Sequence, residues 1–196
     1  MRMSFYQFAK GVVASVFFPL YRIEIHGKEH FPKDGAVLLC SNHIDNLDPP
    51  TVGICAPRQV HFMAKEELFR VPVLGGIVRK VGSFPVKRGM SDREAIRKGL
   101  NVLKDGGVLG LFPEGTRSKD GKLGKGLAGA GFFALKSDAS IVPCAIIGTY
   151  KPFQKVRVYF GPPIDFAPLR EKKTSADEAT ELIMSKIAEL LEKHQS

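Results

Sequence analysis

Ala36-Val37-Leu38-Leu39-Cys40-Ser41-Asn42-His43-Ile44-Asp45-Asn46-Leu47-Asp48-Pro49-Pro50 is the stretch from which the fold is read. Ala36 to Cys40 form an uncharged apolar run, as in a strand covered on both faces. Polar residues follow at once and two prolines close the stretch. Proline is favoured in the first turn of a helix, so the segment reads strand, turn, helix, with Asp48 expected as the helix N-cap. His43 then stands just past a strand end, the usual address of a reactive side chain in an open α/β sheet. In one continuous helix, positions five apart point roughly 140° away from each other. With a turn between them, His43 and Asp48 can meet. A carboxylate on one imidazole nitrogen fixes the tautomer and stabilises the imidazolium that forms when the other nitrogen takes a proton. The competing reading is a loop histidine beside a helix cap.

Outward from that stretch, strand and helix signals alternate. Ile23 and Ile25 alternate with charged residues as in a half-exposed strand. Val60–Ala64, Val108–Phe112, Ile141–Gly148 and Val156–Phe160 read as further strands. A helix is expected between Ser91-x-x-Glu94, a capping box, and Gly106-Gly107. A Gly-rich, Phe-containing helix follows around Leu127–Ser137. The C-terminal helix starts at Thr174/Ser175, with Asp177 and Glu178 in its first turn, and runs to about Lys193. Strands separated by helices give an α/β fold: a single domain with a mixed, mostly buried sheet flanked by helices.

The chain has 196 residues, with 29 Lys+Arg against 20 Asp+Glu and a formal net charge of +9. At roughly 150 residues per domain, one domain is expected. Hydrophobic content of 44% and charged content of 25% exclude a disordered chain and a multi-span membrane protein. Cys40, Cys55 and Cys144 are widely spaced and form no Cys-x-x-Cys, which argues against a disulfide scaffold or zinc site and for a reducing compartment. A pI near 9.5 calls for an anionic partner: nucleic acid, an anionic lipid surface or a phosphorylated small molecule. Near the N-terminus, Phe5, Phe8, Val12, Val16 and Leu20 recur at helical spacing. The uncharged run from Gly11 to Leu20 falls well short of the ~20 residues that span a bilayer. This helix either packs on the domain or lies in a membrane interface, with Arg2, Lys10 and Arg22 meeting anionic head groups.

Further polar groups follow apolar runs. In Phe112-Pro113-Glu114-Gly115-Thr116-Arg117-Ser118, Gly115 permits a tight turn and Thr116 and Ser118 offer hydroxyls. Arg117 offers a planar fork suited to phosphate, unless Glu114 merely pairs with it. Phe84-Pro85-Val86-Lys87-Arg88 sets adjacent cations after an apolar segment, and Val142-Pro143 opens a strand without a reactive group. Gly124-Lys125-Gly126-Leu127-Ala128-Gly129 satisfies GxGxxG, but no strand runs into it, so no dinucleotide site is assigned. His26, His30, His61 and His194 show no ligand spacing, and no metal is expected.

Taken together, these blocks resemble the glycerolipid acyltransferase family, in particular the bacterial 1-acylglycerol-3-phosphate (lysophosphatidic acid) acyltransferases. His-x4-Asp is His43 to Asp48, the acceptor-site block is Phe84 to Arg88, the Phe-Pro-Glu-Gly-Thr-Arg-Ser block is Phe112 to Ser118, and the Val-Pro block is Val142-Pro143. Their order matches the family's across residues 36–150; where many relatives carry Asp before the Arg of the second block, this chain has Lys87. The resemblance implies a glycerol-3-phosphate acyltransferase-like fold, with an N-terminal membrane-facing helix over 1–22 and an acyltransferase domain over 23–196. It makes His43 the general base and Asp48 its partner. It places Lys65, Arg88 and Arg117 on the acceptor phosphate, with Glu114, Gly115 and Thr116 completing the acceptor pocket. The implied reaction moves a fatty acyl group from an acyl carrier protein or coenzyme A thioester to the free hydroxyl of 1-acylglycerol 3-phosphate, giving phosphatidic acid. No cofactor beyond that co-substrate is implied. The implied location is the cytoplasmic face of the cell membrane, peripheral or monotopic on an anionic surface. Nucleic acid is not an expected partner. The alternatives are another acceptor (glycerol 3-phosphate or a lysophospholipid) and a non-catalytic basic membrane-binding module. Pro49 and Pro50 remove two amide donors from the helix start, so oxyanion donors are expected elsewhere, around Gly82–Phe84.

Overall fold

The computed structural model describes residues 4–87, 92–118 and 120–195. Its strands are β1 (Glu24–His26), β2 (Val37–Ser41), β3 (Val60–Lys65), β4 (Phe84–Val86), β5 (Val108–Leu111), β6 (Ser140–Gly148) and β7 (Val156–Phe160). All seven lie in one sheet in the order β1-β7-β6-β2-β5-β3-β4. From β6 to β4 each neighbour is parallel; β7 runs antiparallel to β6, and β1 parallel to β7. Five strands therefore point their C-terminal ends at the same edge of the sheet.

The helices are α1 (Phe5–Tyr21), α2 (Asp48–Cys55), α3 (Leu74–Lys80), α4 (Arg93–Lys104), α5 (Gly129–Leu135), α6 (Ala167–Glu171) and α7 (Ala176–His194). β2 is buried along its whole length because both faces of the sheet are covered. Successive side chains alternate between faces. Leu38 and Cys40 pack with residues of α4, α5 and α7, such as Leu103, Phe133 and Ile183. Val37 and Leu39 pack with residues of α1 and α2, such as Phe17 and Val52. Truncating Leu39 to Ala in so closed a layer costs about 2–5 kcal/mol. α5 is Gly-rich because it runs against α7: a Cβ on Gly131 would strike the Ala176 carbonyl oxygen, and the Gly131 amide donates to Thr180 Oγ1 at 2.9 Å. All three cysteines are free and buried, and burial pushes the Cys40 and Cys55 thiols up to about 12.

Helix boundaries required two corrections. Ser91 lies outside the described residues, and α4 is capped instead by Asp92, whose Oδ1 accepts from the Ala95 amide at 3.0 Å. Asp48 is the first residue of α2 and not its N-cap; Leu47 holds that position without a side-chain bond. The Asp48 carboxylate is turned back, away from the helix amides, onto the loop that precedes it.

α1 opens with a capping box, Ser4 with Gln7, and ends at Arg22 in the left-handed region. Val13, Ala14, Phe17, Phe18 and Tyr21 pack into the core, while Phe5, Phe8, Val12 and Val16 face outward. The repeat read at helical spacing is thus the exposed face, and a second apolar face does the packing. Lys10 does not reach outward as expected: its Nζ bonds the Ala56 carbonyl at the end of α2. Arg2 lies outside the described residues, and Arg22 is exposed. Among the described residues no helix is long and apolar enough to cross a membrane.

Candidate active site

The site is built where β2 ends. Asn42 continues the pairing of β2 with β6 through its side chain: Nδ2 donates to the Ile146 carbonyl at 2.9 Å and Oδ1 accepts from the Ile146 amide at 2.7 Å. One residue on, His43 is anchored at both backbone groups. Its N–H donates to Glu114 Oε1 at 2.9 Å, and its carbonyl accepts from the Ser118 amide at 2.7 Å. The ring stacks on Phe112, centroids 4.2 Å apart, and Phe112 stacks in turn on Phe62.

His43 Nδ1 lies 2.8 Å from Asp48 Oδ2, with side-chain exposures of 14% and 0%. Because a carboxylate only accepts here, the bond assigns the proton to Nδ1 and leaves Nε2 as the basic nitrogen. No described residue bonds Nε2. Asp48 Oδ2 also accepts from the amides of Ile44 at 2.6 Å and Asp45 at 2.7 Å. A fully buried carboxylate requires such donors. The fourth is the Tyr150 hydroxyl, 2.8 Å from Oδ1. Tyr150 was missed in the sequence, although it stands two residues beyond the end of β6, as His43 does beyond β2. Burial and the Asp48 charge push its phenol well above the ordinary tyrosine range, so it remains a donor.

Glu114 does not pair with Arg117. Its buried carboxylate joins two loops, with Oε1 on the His43 amide and Oε2 on the Gly124 amide at 2.8 Å. It lines an open depression of about 390 Å³, walled by Thr116, Arg117, Lys122 and Lys125 with Asp120 as a second acidic group. Gly115 turns the chain at φ +66°, a conformation that favours glycine, and leaves Thr116 and Arg117 exposed. Arg117, Lys122 and Lys125 form no ion pair among the described residues. Gly124 of the GxGxxG sequence closes this loop onto Glu114 through its amide.

Lys65 ends β3 and is exposed on the same edge, two strands or roughly 10 Å from β2. Arg88 lies outside the described residues. Before it in the chain, the Lys87 amide donates to Asp92 Oδ2 at 3.0 Å. The oxyanion expectation is corrected. Phe84 pairs with Met63, which the register through β5 puts level with Cys40, so it falls short of His43 and about 14 Å to one side. Gly82 turns its carbonyl to His61 Nδ1.

Three comparisons bear on this geometry. The profile of the family described as Acyltransferase matches residues 22–147. A 1-acyl-sn-glycerol-3-phosphate acyltransferase of Bacillus subtilis is 33% identical over 178 residues, covering 86% of this chain and 87% of that protein. A chloroplast 1-acyl-sn-glycerol-3-phosphate acyltransferase of Arabidopsis thaliana is 34% identical over 154 residues, covering 76% of this chain; the chain spans only 43% of that relative's length. The crystal structure of the 1-acyl-sn-glycerophosphate acyltransferase PlsC of Thermotoga maritima superposes with a TM-score of 0.74 at 26% identity, over 94% of this chain and 77% of that one.

Proposed function

Because the chain belongs to the acyltransferase family, we propose that it moves a fatty acyl group from an acyl thioester to the free hydroxyl of 1-acylglycerol 3-phosphate, forming phosphatidic acid. The observation that carries this reading is the 2.8 Å bond between His43 Nδ1 and Asp48 Oδ2, which leaves Nε2 without a partner among the described residues, while Glu114 ties the His43 backbone to a depression lined by Arg117, Lys122 and Lys125. An alcohol is a poor nucleophile at neutral pH and a thioester is already an activated donor, so the missing element is a base. His43 Nε2 takes the hydroxyl proton as the oxygen attacks the thioester carbonyl. The tetrahedral intermediate then breaks its C–S bond, and the departing thiolate receives that proton from Nε2. Asp48 steadies the imidazolium between the two transfers. Arg117, with Lys65 and Arg88, holds the acceptor phosphate and fixes where the hydroxyl arrives. Glu114 is assigned to holding the loops in register, with Gly115 and Thr116 shaping the pocket wall.

The donor is acyl carrier protein or coenzyme A, and both fit this scheme. Amphiphilic acceptor and product suit reaction at a membrane surface, and we assign it to an anionic surface on the cytoplasmic face. The supporting features are the outward face of α1 and a second apolar patch around α3, at Leu68, Val71, Val73, Leu74 and Ile77. Lys80 Nζ, 5.1 Å from the centre of the Phe5 ring, joins the two. Such a face suits a helix lying in the interface.

Thiol release from acyl-coenzyme A and acyl carrier protein thioesters, measured over a panel of acceptors, tests the reading. The expected result is release dependent on 1-acylglycerol 3-phosphate. Preference for glycerol 3-phosphate or a lysophospholipid overturns the acceptor, and no acceptor-dependent release overturns the enzyme. Flotation with anionic liposomes tests the membrane part, since deleting residues 1–20 is expected to weaken binding.

A further inference from the structure

Among the described residues Asp48 Oδ2 has three donors, whereas Oδ1 has one, the hydroxyl of Tyr150. That hydroxyl is itself held in place. Tyr150 packs edge-on against Tyr21 at the end of α1, centroids 5.4 Å apart, and Tyr21 packs the same way on Phe17. The buried Thr51 hydroxyl lies beside the phenol oxygen without completing a hydrogen bond to it. Neither Tyr150 nor Thr51 belongs to the sequence blocks that identify the family.

We propose that Tyr150 is a positioning residue of the His43–Asp48 pair: by holding Oδ1 it fixes the carboxylate plane, keeps Oδ2 on Nδ1, and moderates the negative charge that the imidazole feels. This rests on the acyl-transfer reading above. The argument is one of satisfied oxygens. A carboxylate with both oxygens bonded has one orientation, and a buried oxygen stripped of its donor drives the group to rotate or admit water. Tyr150 also tunes the base. A hydrogen bond to the far oxygen draws charge away from the imidazole side, so the imidazolium is less favoured than it would be beside an unshielded carboxylate. The other titratable groups around the pair are Asp45 on its own loop, Glu114 from the turn after β5 and the buried Cys144 thiol of β6, and all three are common to the variants compared below.

The test is Tyr150→Phe, compared with Tyr6→Phe as a control. Tyr6 donates to the Gly53 carbonyl at 3.2 Å, so the control also removes a hydroxyl bonded to α2 but leaves Asp48 untouched. For Tyr150→Phe, kcat is expected to fall about ten-fold with the acceptor KM unchanged. The acid limb of the rate is expected to move up by about half to one pH unit, because the less shielded carboxylate favours the imidazolium. Tyr6→Phe should move neither. Replacing Tyr150 with 3-fluorotyrosine, of nearly the same shape and with a more acidic hydroxyl, is expected to move the limb down. Opposite shifts in the two Tyr150 variants establish the proposal. A limb that stays put, or shifts in the same direction in both, overturns it, and Tyr150 is then only a packing residue. A wild-type protein without acceptor-dependent turnover overturns the acyl-transfer reading instead. Following the His43 ring by NMR titration still distinguishes the outcomes for Tyr150 in that case.

Discussion

His43 is gripped at its amide, its carbonyl, its Nδ1 and its ring face, by Glu114, Ser118, Asp48 and Phe112 respectively. Around Glu114, by contrast, Arg117, Lys122 and Lys125 project from exposed loops with no ion pair among the described residues. The difference follows from what each half does. Proton transfer requires a heavy-atom separation near 3 Å and one tautomer, so the base must be fixed before substrate arrives. A phosphate presents several equivalent oxygens, so long cationic side chains can close on it from varied positions at little energetic penalty while waiting in water. On the proposed function, chemistry belongs to the rigid half and capture to the loose one.

The sharpest way to break this division is His43→Ala. General base catalysis supplies about 10²–10⁴-fold, so kcat is expected to fall by about 10³, with the acceptor KM nearly unchanged. Turnover retained in the purified variant removes His43 from the reaction. Glu114→Gln comes next, because Glu114 is the bond between the two halves. Both its oxygens accept from backbone amides, and a Gln must offer its NH2 to one of them. The expected loss is about 1–3 kcal/mol of stability with a lower kcat and a higher KM together. A variant altered only in KM would place Glu114 on the substrate instead of between the loops. Arg117→Ala is expected to raise the acceptor KM about ten-fold and leave kcat within a factor of two, since a charged hydrogen bond contributes about 1.5–3 kcal/mol. An unchanged KM removes the phosphate role.

The two halves were not equally legible in the sequence. The strands were, because burial on both faces leaves uninterrupted apolar runs such as Val37–Cys40. His43 and Asp48 were, because a strand end, a turn and two prolines fix their relation locally. The role of Glu114 was not, since its partners are the amides of residues 71 positions before and 10 after it, and backbone amides carry no sequence signal. Tyr150 was hidden for a related reason. It reaches Asp48 across 102 positions, and only the parallel pairing of β6 with β2 brings the two ends together. Asp48 was misplaced as a cap because an acidic residue before prolines has the same local pattern whether its carboxylate turns into the helix or back onto the loop. α1 misled in another way: with both of its faces apolar, its spacing could not say which one packs.

Salt offers the mildest test of the comparison and separates the halves without a mutation. Charges exposed to solvent are screened within about 10 Å at 0.1 M ionic strength and about 3 Å at 1 M. Arg117, Lys122 and Lys125 are exposed, so their pull on an approaching phosphate must weaken as salt is added. The Asp48 carboxylate is fully buried against His43, so the field it sets at the imidazole lies out of reach of counter-ions. Raising salt from about 0.05 M to 0.5 M is therefore expected to increase the acceptor KM about three-fold while kcat holds steady. The measurement belongs in a monodisperse, short-chain acceptor, so that weakened binding to an anionic membrane is not mistaken for weakened binding of the phosphate. If kcat falls in step with the rise in KM, ions reach the base, and the division between a sealed catalytic half and an open binding half is wrong.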